Sequence, residues 1–140
     1  MAAKKTDVLM VGGGIMSVTL ATLIAELDSS RSLTLVEQSS ELGRESSDVW
    51  NNAGTGHAGY CELNYTPQSA DGSVSVDRAL DINERFEVSL QLWSSLTHKG
   101  VLPEPKQFIK KVPHLSWVKG RAGRNFLAPR QKAMTSNALF

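Results

Sequence analysis

The chain has 140 residues, of which 41% are hydrophobic and 21% charged, and it carries a formal net charge of +1. This is the composition of an ordinary soluble domain, and the near-balanced charge argues against a nucleic-acid partner. The single cysteine, Cys61, excludes an internal disulfide and a metal site built from several cysteines. No apolar run approaches the ~20 residues of a membrane-spanning helix. We expect no secretory signal before the first predicted strand.

The first predicted elements are a strand, a glycine turn and a helix. The apolar run of residues 7–11 stops at three glycines, and the apolar residues that follow share one helical stripe, namely Met16, Leu20, Leu23, Ile24 and Leu27. The dinucleotide motif G-x-G-x-x-G is met at Gly12 and Gly14, while Ser17 replaces its third glycine and is small enough for close helix–strand packing. The N–H groups of such a turn point at a diphosphate, which makes candidate ligands of Gly12, Gly13, Gly14, Ile15, Met16 and Ser17.

A second strand is predicted over residues 32–36 and ends at Glu37. In a βαβ unit of this kind, an acidic residue at that place accepts hydrogen bonds from the adenosine ribose. The pattern predicts an α/β fold with a Rossmann-like βαβ unit. The unit is incomplete, because its first strand normally has a neighbour on each side, and we therefore expect the front portion of a longer protein. A glycine-rich turn that binds nothing and a nicotinamide-dependent dehydrogenase both remain compatible with these residues.

Residues 38–68 show little periodicity and are predicted to form a long loop. Loops of this length are uncommon in compact domains and tend to be functional or disordered. Three aromatic residues that need burial argue against disorder: Trp50, Tyr60 and Tyr65. We therefore predict a functional loop.

The polar part of this loop, residues 45–57, follows the second strand directly and so emerges at the carboxyl edge of the sheet, where ligands of doubly wound folds bind. Ser46 and Ser47 are candidate donors to the diphosphate. Small residues further on would let the backbone lie against a planar ring such as a flavin, and the candidates are Ala53, Gly54, Thr55 and Gly56.

His57 is the candidate catalytic residue, because a histidine at the rim of a cofactor site can bind a carboxylate or take a hydroxyl proton. The structural alternative is an ordinary hydrogen-bonding histidine. His98 is predicted at a helix end and His114 in a strand, and three histidines this far apart give no metal-ligand spacing. We therefore expect no metal site.

The second half of the chain is predicted to begin with a turn at residues 67–72 and a long helix from Asp77 to Lys99. Asp77 is the predicted N-cap, and Gly100 supplies the C-terminal stop. The apolar stripe of this helix is predicted to be core and consists of Ile82, Phe86, Leu90, Trp93 and Leu96.

Two short strands, or one bent edge strand, are predicted over residues 108–112 and 114–118. Pro113 lies between them, and Gly120 and Gly123 are expected to end the strand. A helix is predicted over residues 125–138, with a kink or a start at Pro129.

Four of these segments resemble the malate:quinone oxidoreductase family: Val11 to Ser17, Glu45 to His57, Glu62 to Gln68, and Phe108 to Val118. The run Trp-Asn-Asn-Ala-Gly-Thr-Gly-His that ends at His57 is far more specific than the glycine motif. The resemblance covers nearly the whole chain. It implies a division into an FAD-binding βαβ unit with its flavin loop (residues 1–70) and a helix and strand that begin the substrate region (residues 71–140).

The resemblance further implies a flavoprotein of the tricarboxylic acid cycle that oxidises (S)-malate to oxaloacetate and passes electrons through FAD to a quinone. It places the enzyme peripherally on the cytoplasmic side of the cell membrane. Gly12, Gly14 and Ser17 would lie at the diphosphate, Glu37 at the ribose, and Ser46, Ser47 and Asn52 to Gly56 along the flavin. Family members are considerably longer than this chain, so we expect residues 1–140 alone to be inactive and to bind nucleotide weakly or not at all.

Overall fold

The computed structural model describes residues 5–138 and residue 140. In chain order these residues form strand β1 (Val8–Val11), helix α1 (Ile15–Leu27), strand β2 (Leu33–Val36), a 3₁₀ turn (Leu63–Tyr65), and helices α2 (Asp77–His98), α3 (Pro105–Phe108) and α4 (Gly120–Thr135). Contacts divide the chain into two compact units, one ending at Thr55 and the other beginning at Gly56. The mixed α/β class is confirmed, whereas the assignment of residues 1–70 and 71–140 to parts of a larger fold stays a prediction.

The first unit is a parallel βαβ arrangement, as predicted. β1 pairs with β2 in a register that runs from Val8 opposite Leu33 to Val11 opposite Val36. Within the described residues the sheet has two strands, so its surfaces are thinly covered and only Met10 is buried. The apolar stripe of α1 is largely exposed for the same reason, with Met16 and Leu27 more than four-fifths accessible.

The second unit is organised around α2, whose predicted extent is confirmed to within one residue. Its N-cap is Val76, so the prediction that Asp77 caps the helix was wrong, and Asp77 is instead the first helical residue. The C-terminal stop is confirmed, because Gly100 adopts the left-handed conformation with φ 73°. Phe86 and Trp93 on α2 pack edge to face, and Trp93 packs in the same way on Phe108. None of the helices within residues 5–138 combines the length and the apolarity needed to cross a bilayer.

The strands predicted over residues 108–112 and 114–118 are not formed. Pro105–Phe108 is a single helical turn, and residues 109–119 are extended without a partner strand. Both ends of the segment, Ile109 and Lys119, have the extended dihedrals of a strand. A strand also needs a ladder, and the two strands in the described ranges pair only with each other.

Helix α4 begins at Gly120, five residues before the predicted start, and runs through Pro129 without ending there. The expectation that Gly120 and Gly123 end a strand was therefore wrong. A proline inside a helix removes one hydrogen bond and costs about 3 kcal/mol. Two residues that follow Pro129, Arg130 and Met134, are buried, and their tertiary contacts hold the second half of the helix in place.

Candidate functional site

A cleft of about 600 Å³ opens at the carboxyl ends of β1 and β2, in front of the first turn of α1. Its walls are Val11, Gly12, Gly13, Gly14, Val36, Glu37, Gln38, Glu45 and Ser46. Five of these were predicted to bind a cofactor, whereas the contributions of Val11, Val36, Gln38 and Glu45 were not anticipated. A depression of similar volume on the exposed face of α2 contains none of the predicted cofactor ligands.

The glycine turn at the cleft disfavours larger side chains at Gly12 through its backbone conformation and at Gly13 through close packing. Gly12 has φ 93°, a conformation that favours glycine, and its N–H donates to the Val36 carbonyl at 2.8 Å. A Cβ on Gly13 would meet the Leu42 side chain and would lie 3.0 Å from a carboxylate oxygen of Glu37. The carbonyl of Gly13 accepts a hydrogen bond from the Gly43 N–H at 3.0 Å. The following loop therefore folds back onto the turn.

The amino end of α1 retains unused hydrogen-bond donors. Gly14 is the N-cap and, having no side chain, offers no capping group. The hydroxyl oxygen of Ser47 accepts the Ile15 N–H at 2.8 Å and fills this role from the loop. The N–H groups of Met16 and Ser17 have no acceptor among residues 5–138 and 140. The helix end can thus still donate to an anion placed in the cleft.

Glu37 lies at the end of β2, as predicted, and its carboxylate closes one side of the glycine turn. One oxygen accepts the Gly13 N–H at 2.6 Å and the other accepts the Ser39 N–H at 2.8 Å. These backbone donors, with that of Ser39 the strongest, hold the pKa of the Glu37 carboxyl below its ordinary value of 4.5. Each oxygen keeps a further lone pair, so the ionised carboxylate remains able to accept ribose hydroxyls.

The loop after β2 is ordered by its own polar side chains rather than by burial. Asn52 accepts the Gly54 N–H at 2.5 Å and donates to the Ser46 carbonyl at 3.1 Å. The expectation that Trp50 is buried was wrong, since the Trp50 side chain is 91% exposed. Turns made by Asp and Asn side chains hold this loop without an aromatic anchor. The predicted flavin-contacting residues before the unit boundary are exposed and do not line the cleft: Asn52, Ala53, Gly54 and Thr55.

Gly56 and His57 belong to the second unit. A Cβ on Gly56 would lie 3.0 Å from the Phe86 ring, so the backbone packs closely there. The half-buried His57 ring accepts the Gly59 N–H at 3.1 Å through Nδ1 and stacks on Tyr65 with 6.3 Å between ring centroids. These contacts are those of a structural histidine, and a catalytic role for His57 stays a prediction.

His57 also approaches Cys61 and Glu62, and one ligand atom from each lies within 4.8 Å of the others. The sequence did not suggest this mixed set. A metal-bound histidine normally donates its second ring N–H to an acceptor. Here Nδ1 is itself an acceptor, which in a neutral ring puts the proton on the remaining nitrogen. The expectation of no metal site stays a prediction for these residues.

Arg130 is a buried residue that the sequence did not single out. Its guanidinium donates to the Thr66 hydroxyl at 2.8 Å and to the Tyr60 carbonyl at 2.6 Å, which ties α4 to the loop before α2. Burial lowers the pKa of Arg130, and the Cys61 sulfur acts in the opposite direction. The proline one position earlier is the only local peculiarity in the sequence, and nothing in the periodicity shows that this arginine is inside.

The residues around the cleft fit a dinucleotide. The unused N–H groups of α1 directly follow Gly14 in the cleft wall, although Met16 and Ser17 do not themselves line the cleft. The glycines permit close approach of a diphosphate, and Glu37 is at the distance along the chain that a ribose requires. Gly12, Gly13, Gly14 and Glu37 are thus brought together as predicted. Ser47 is brought there too, but as a helix cap.

Comparison with known proteins gives consistent results. The model of the malate:quinone oxidoreductase family matches residues 4–140. A protein of Methylobacillus flagellatus is 58% identical over 135 residues, which are 96% of this chain and 27% of that protein. A protein of Hahella chejuensis is 51% identical over 140 residues, which are 100% of this chain and 28% of that protein. A protein of Citrobacter koseri is 53% identical over 137 residues, which are 98% of this chain and 25% of that protein. All three are named "Probable malate:quinone oxidoreductase", and the chain spans about a quarter of their length.

Proposed function

Because the chain belongs to the malate:quinone oxidoreductase family, we propose that it provides the FAD-binding portion of an enzyme that oxidises (S)-malate to oxaloacetate and passes the electrons to a quinone. The observation that carries the proposal is the cleft between the glycine turn, Glu37 and the first turn of α1. The glycine turn with its helix end supplies donors for a diphosphate, and the adjoining Glu37 supplies the acceptor for a ribose.

Each part of this cleft has a defined task in binding. The glycine turn lets the diphosphate approach the backbone, and the N–H groups of Met16 and Ser17 donate to its oxygens, where the helix dipole favours negative charge. Glu37 both fixes the turn through Gly13 and accepts the ribose hydroxyls. Ser47 holds the helix end against the loop. These contacts orient the dinucleotide before any chemistry occurs.

The bound flavin would supply the acceptor for a hydride from the carbon that bears the malate hydroxyl, with transfer of the electrons onward to quinone. The chain's own contribution is to bind and orient this cofactor. We place the groups that bind malate and remove its hydroxyl proton in the part of the relatives that this chain does not span. We also place the whole enzyme at the cytoplasmic face of the membrane, where lipid-soluble quinone is available.

The test uses a chimera in which residues 1–140 replace the matched portion of the Hahella chejuensis relative, which aligns with all 140 residues. We expect bound flavin with its characteristic absorbance and malate-dependent reduction of a quinone analogue, without a response to NAD. Glu37→Gln should weaken FAD binding about tenfold, because a charged acceptor becomes a neutral one. Glu41→Gln, at an exposed side chain that pairs with Arg44, is the matched control.

The isolated 140-residue chain should show no malate-dependent dye reduction and at most weak FAD binding. If the isolated chain binds stoichiometric flavin and is active, the groups that bind and oxidise malate do not lie in the part of the relatives that this chain does not span. A folded chimera that lacks flavin, or that reduces NAD instead, would refute the FAD assignment itself.

A further inference from the structure

Residues 110–118 are extended and form no backbone hydrogen bond with any other residue in the described ranges. The residues on either side, Ile109 (φ −130°, ψ 132°) and Lys119 (φ −95°, ψ 134°), have strand dihedrals, and no turn or bend lies between them. A row of unpaired N–H and C=O groups in strand conformation is a template for pairing with another strand.

The side chains of this segment also lack a covering layer. Leu115 and Trp117 are 89% and 82% exposed and, two residues apart, lie on the same face of the extended chain. Val118 points to the other face and packs against Gly123, where an added Cβ would lie 2.6 Å from the Val118 Cβ. The segment is therefore anchored at Val118 and open on the Leu115 face.

Pro113 distinguishes the two edges of the segment. In a strand, the N–H and C=O groups of alternate residues point to opposite edges. Residues 112, 114, 116 and 118 present an unbroken set of donors along one edge, whereas the opposite edge lacks a donor at Pro113. A partner strand is accommodated best on the even-numbered edge.

We propose that residues 110–118 are a docking strand, and that its partner is a strand from the polypeptide that the relatives carry beyond the portion matched here. The relatives at hand are about four times as long as this chain, so such a partner is available within one molecule. This inference rests on family membership and on the unpaired backbone. It does not depend on what the cleft of the first unit binds.

Two other occupants fit the observations less well. Residues 105–140 contain eight Lys or Arg and no Asp or Glu, which would attract an anionic bilayer. However, a bilayer offers no partners for the free backbone groups, and each one buried in hydrocarbon costs several kcal/mol. A second copy of the segment could pair, but it would bring Lys110, Lys111 and Lys119 against the same basic side chains.

Hydrogen exchange of single backbone amides tests the proposal in the same chimera with the Hahella chejuensis relative. We expect the amides of residues 112, 114, 116 and 118 to exchange at least about 100-fold more slowly in the chimera than in the isolated chain. Equal exchange in both proteins would overturn the proposal. Flavin absorbance, read from the same sample, reports separately on the proposed function.

Two proline variants give a matched comparison. Ser116→Pro removes a donor from the even-numbered edge, while Lys111→Pro removes one from the opposite edge at an equally exposed position. The Tm of the chimera should fall more with Ser116→Pro than with Lys111→Pro, and the two variants of the isolated chain should unfold alike. If the chimera is insoluble, the tagged 140-residue chain is co-expressed with the remaining part of the relative. The tagged chain that carries Ser116→Pro should then bind at least about tenfold less of that part than the unaltered chain does.

Equal behaviour of the two proline variants would overturn the proposal. The proposal would also be overturned if the isolated chain sediments with phosphatidylglycerol vesicles, Trp117→Ser abolishes this sedimentation, and the amides of the segment are not protected in the chimera. Protection of the same four amides in a dimer of the isolated chain would assign the edge to a second copy and would also overturn it.

Discussion

Gly59 allows the packing of the second unit to be tested quantitatively. It is buried, has φ 78°, and donates its N–H to His57. A Cβ at this position would lie 2.8 Å from the carbonyl oxygen of Ala79 and 3.1 Å from the Ile82 side chain. The nearest atom belongs to the backbone of α2, so it cannot rotate away as the end of a flexible side chain would.

The cost of Gly59→Ala has two parts. The left-handed conformation costs an L-residue roughly 1–2 kcal/mol, and overpacking against fixed atoms typically costs about 1–3 kcal/mol more. We expect the free energy of unfolding to fall by about 2–5 kcal/mol in total. Gly72→Ala is the matched control, because Gly72 has φ 86° but no atom of the described residues within 4 Å of an added Cβ. This control should lose only the conformational part.

Urea unfolding of the isolated chain, followed by circular dichroism, measures both variants with the same slope m. A difference of at least about 1 kcal/mol between them supports the close contact of residue 59 with α2. If Gly59→Ala and Gly72→Ala lose the same free energy, the loop does not pack on α2 as described. The placement of His57 beside it would then be wrong as well.

Three further predictions concern single side chains. Ser47→Ala should destabilise the first unit by about 1 kcal/mol through loss of the α1 cap, whereas Ser46→Ala should have little effect. Equal losses of unfolding free energy for the two variants in urea would contradict the assigned cap. The pKa of Glu37 is lower in the folded chain than its ordinary value of 4.5, so the ionised carboxylate stabilises the fold above pH 4.5. This stabilisation is lost as the pH falls through the folded pKa, and Glu37→Gln should therefore flatten the acid side of a plot of Tm against pH. An unchanged acid limb would show that the carboxylate does not bind the glycine turn. Arg130→Met should lower the free energy of unfolding by about 2–3 kcal/mol, because the Thr66 hydroxyl and the Tyr60 carbonyl lose the guanidinium as their donor. Arg121→Met, at an exposed position, should change the urea midpoint little. Similar midpoints for these two variants would place Arg130 at the surface.

The local part of the structure was predictable from the sequence. Residues 7–37 were recognised as strand, glycine turn, helix and strand because hydrophobic periodicity and the conformational needs of glycine act within a few residues. The same holds for α2, whose end at Gly100 follows from its left-handed conformation. Glu37 was correctly placed at the end of β2, and the parallel βαβ connection brings that end beside the glycine turn.

Features that depend on distant partners were not predictable. Whether residues 109–119 become a strand depends on a neighbour elsewhere in the chain, and the exposure of Trp50 depends on what covers its loop. Arg130 is inside because Thr66 and Tyr60 meet its guanidinium there, which no window of sequence around it reveals.

The sequence by itself therefore determined β1, α1, β2, α2 and the glycine turn, because dihedral preferences and periodicity are properties of neighbouring residues. Tertiary structure decided which donors stay free at α1, which side chains cap it, and which extended segment is left unpaired. Those outcomes are set by hydrogen-bond partners tens of residues away, as Ser47 is from Ile15 and Arg130 is from Thr66.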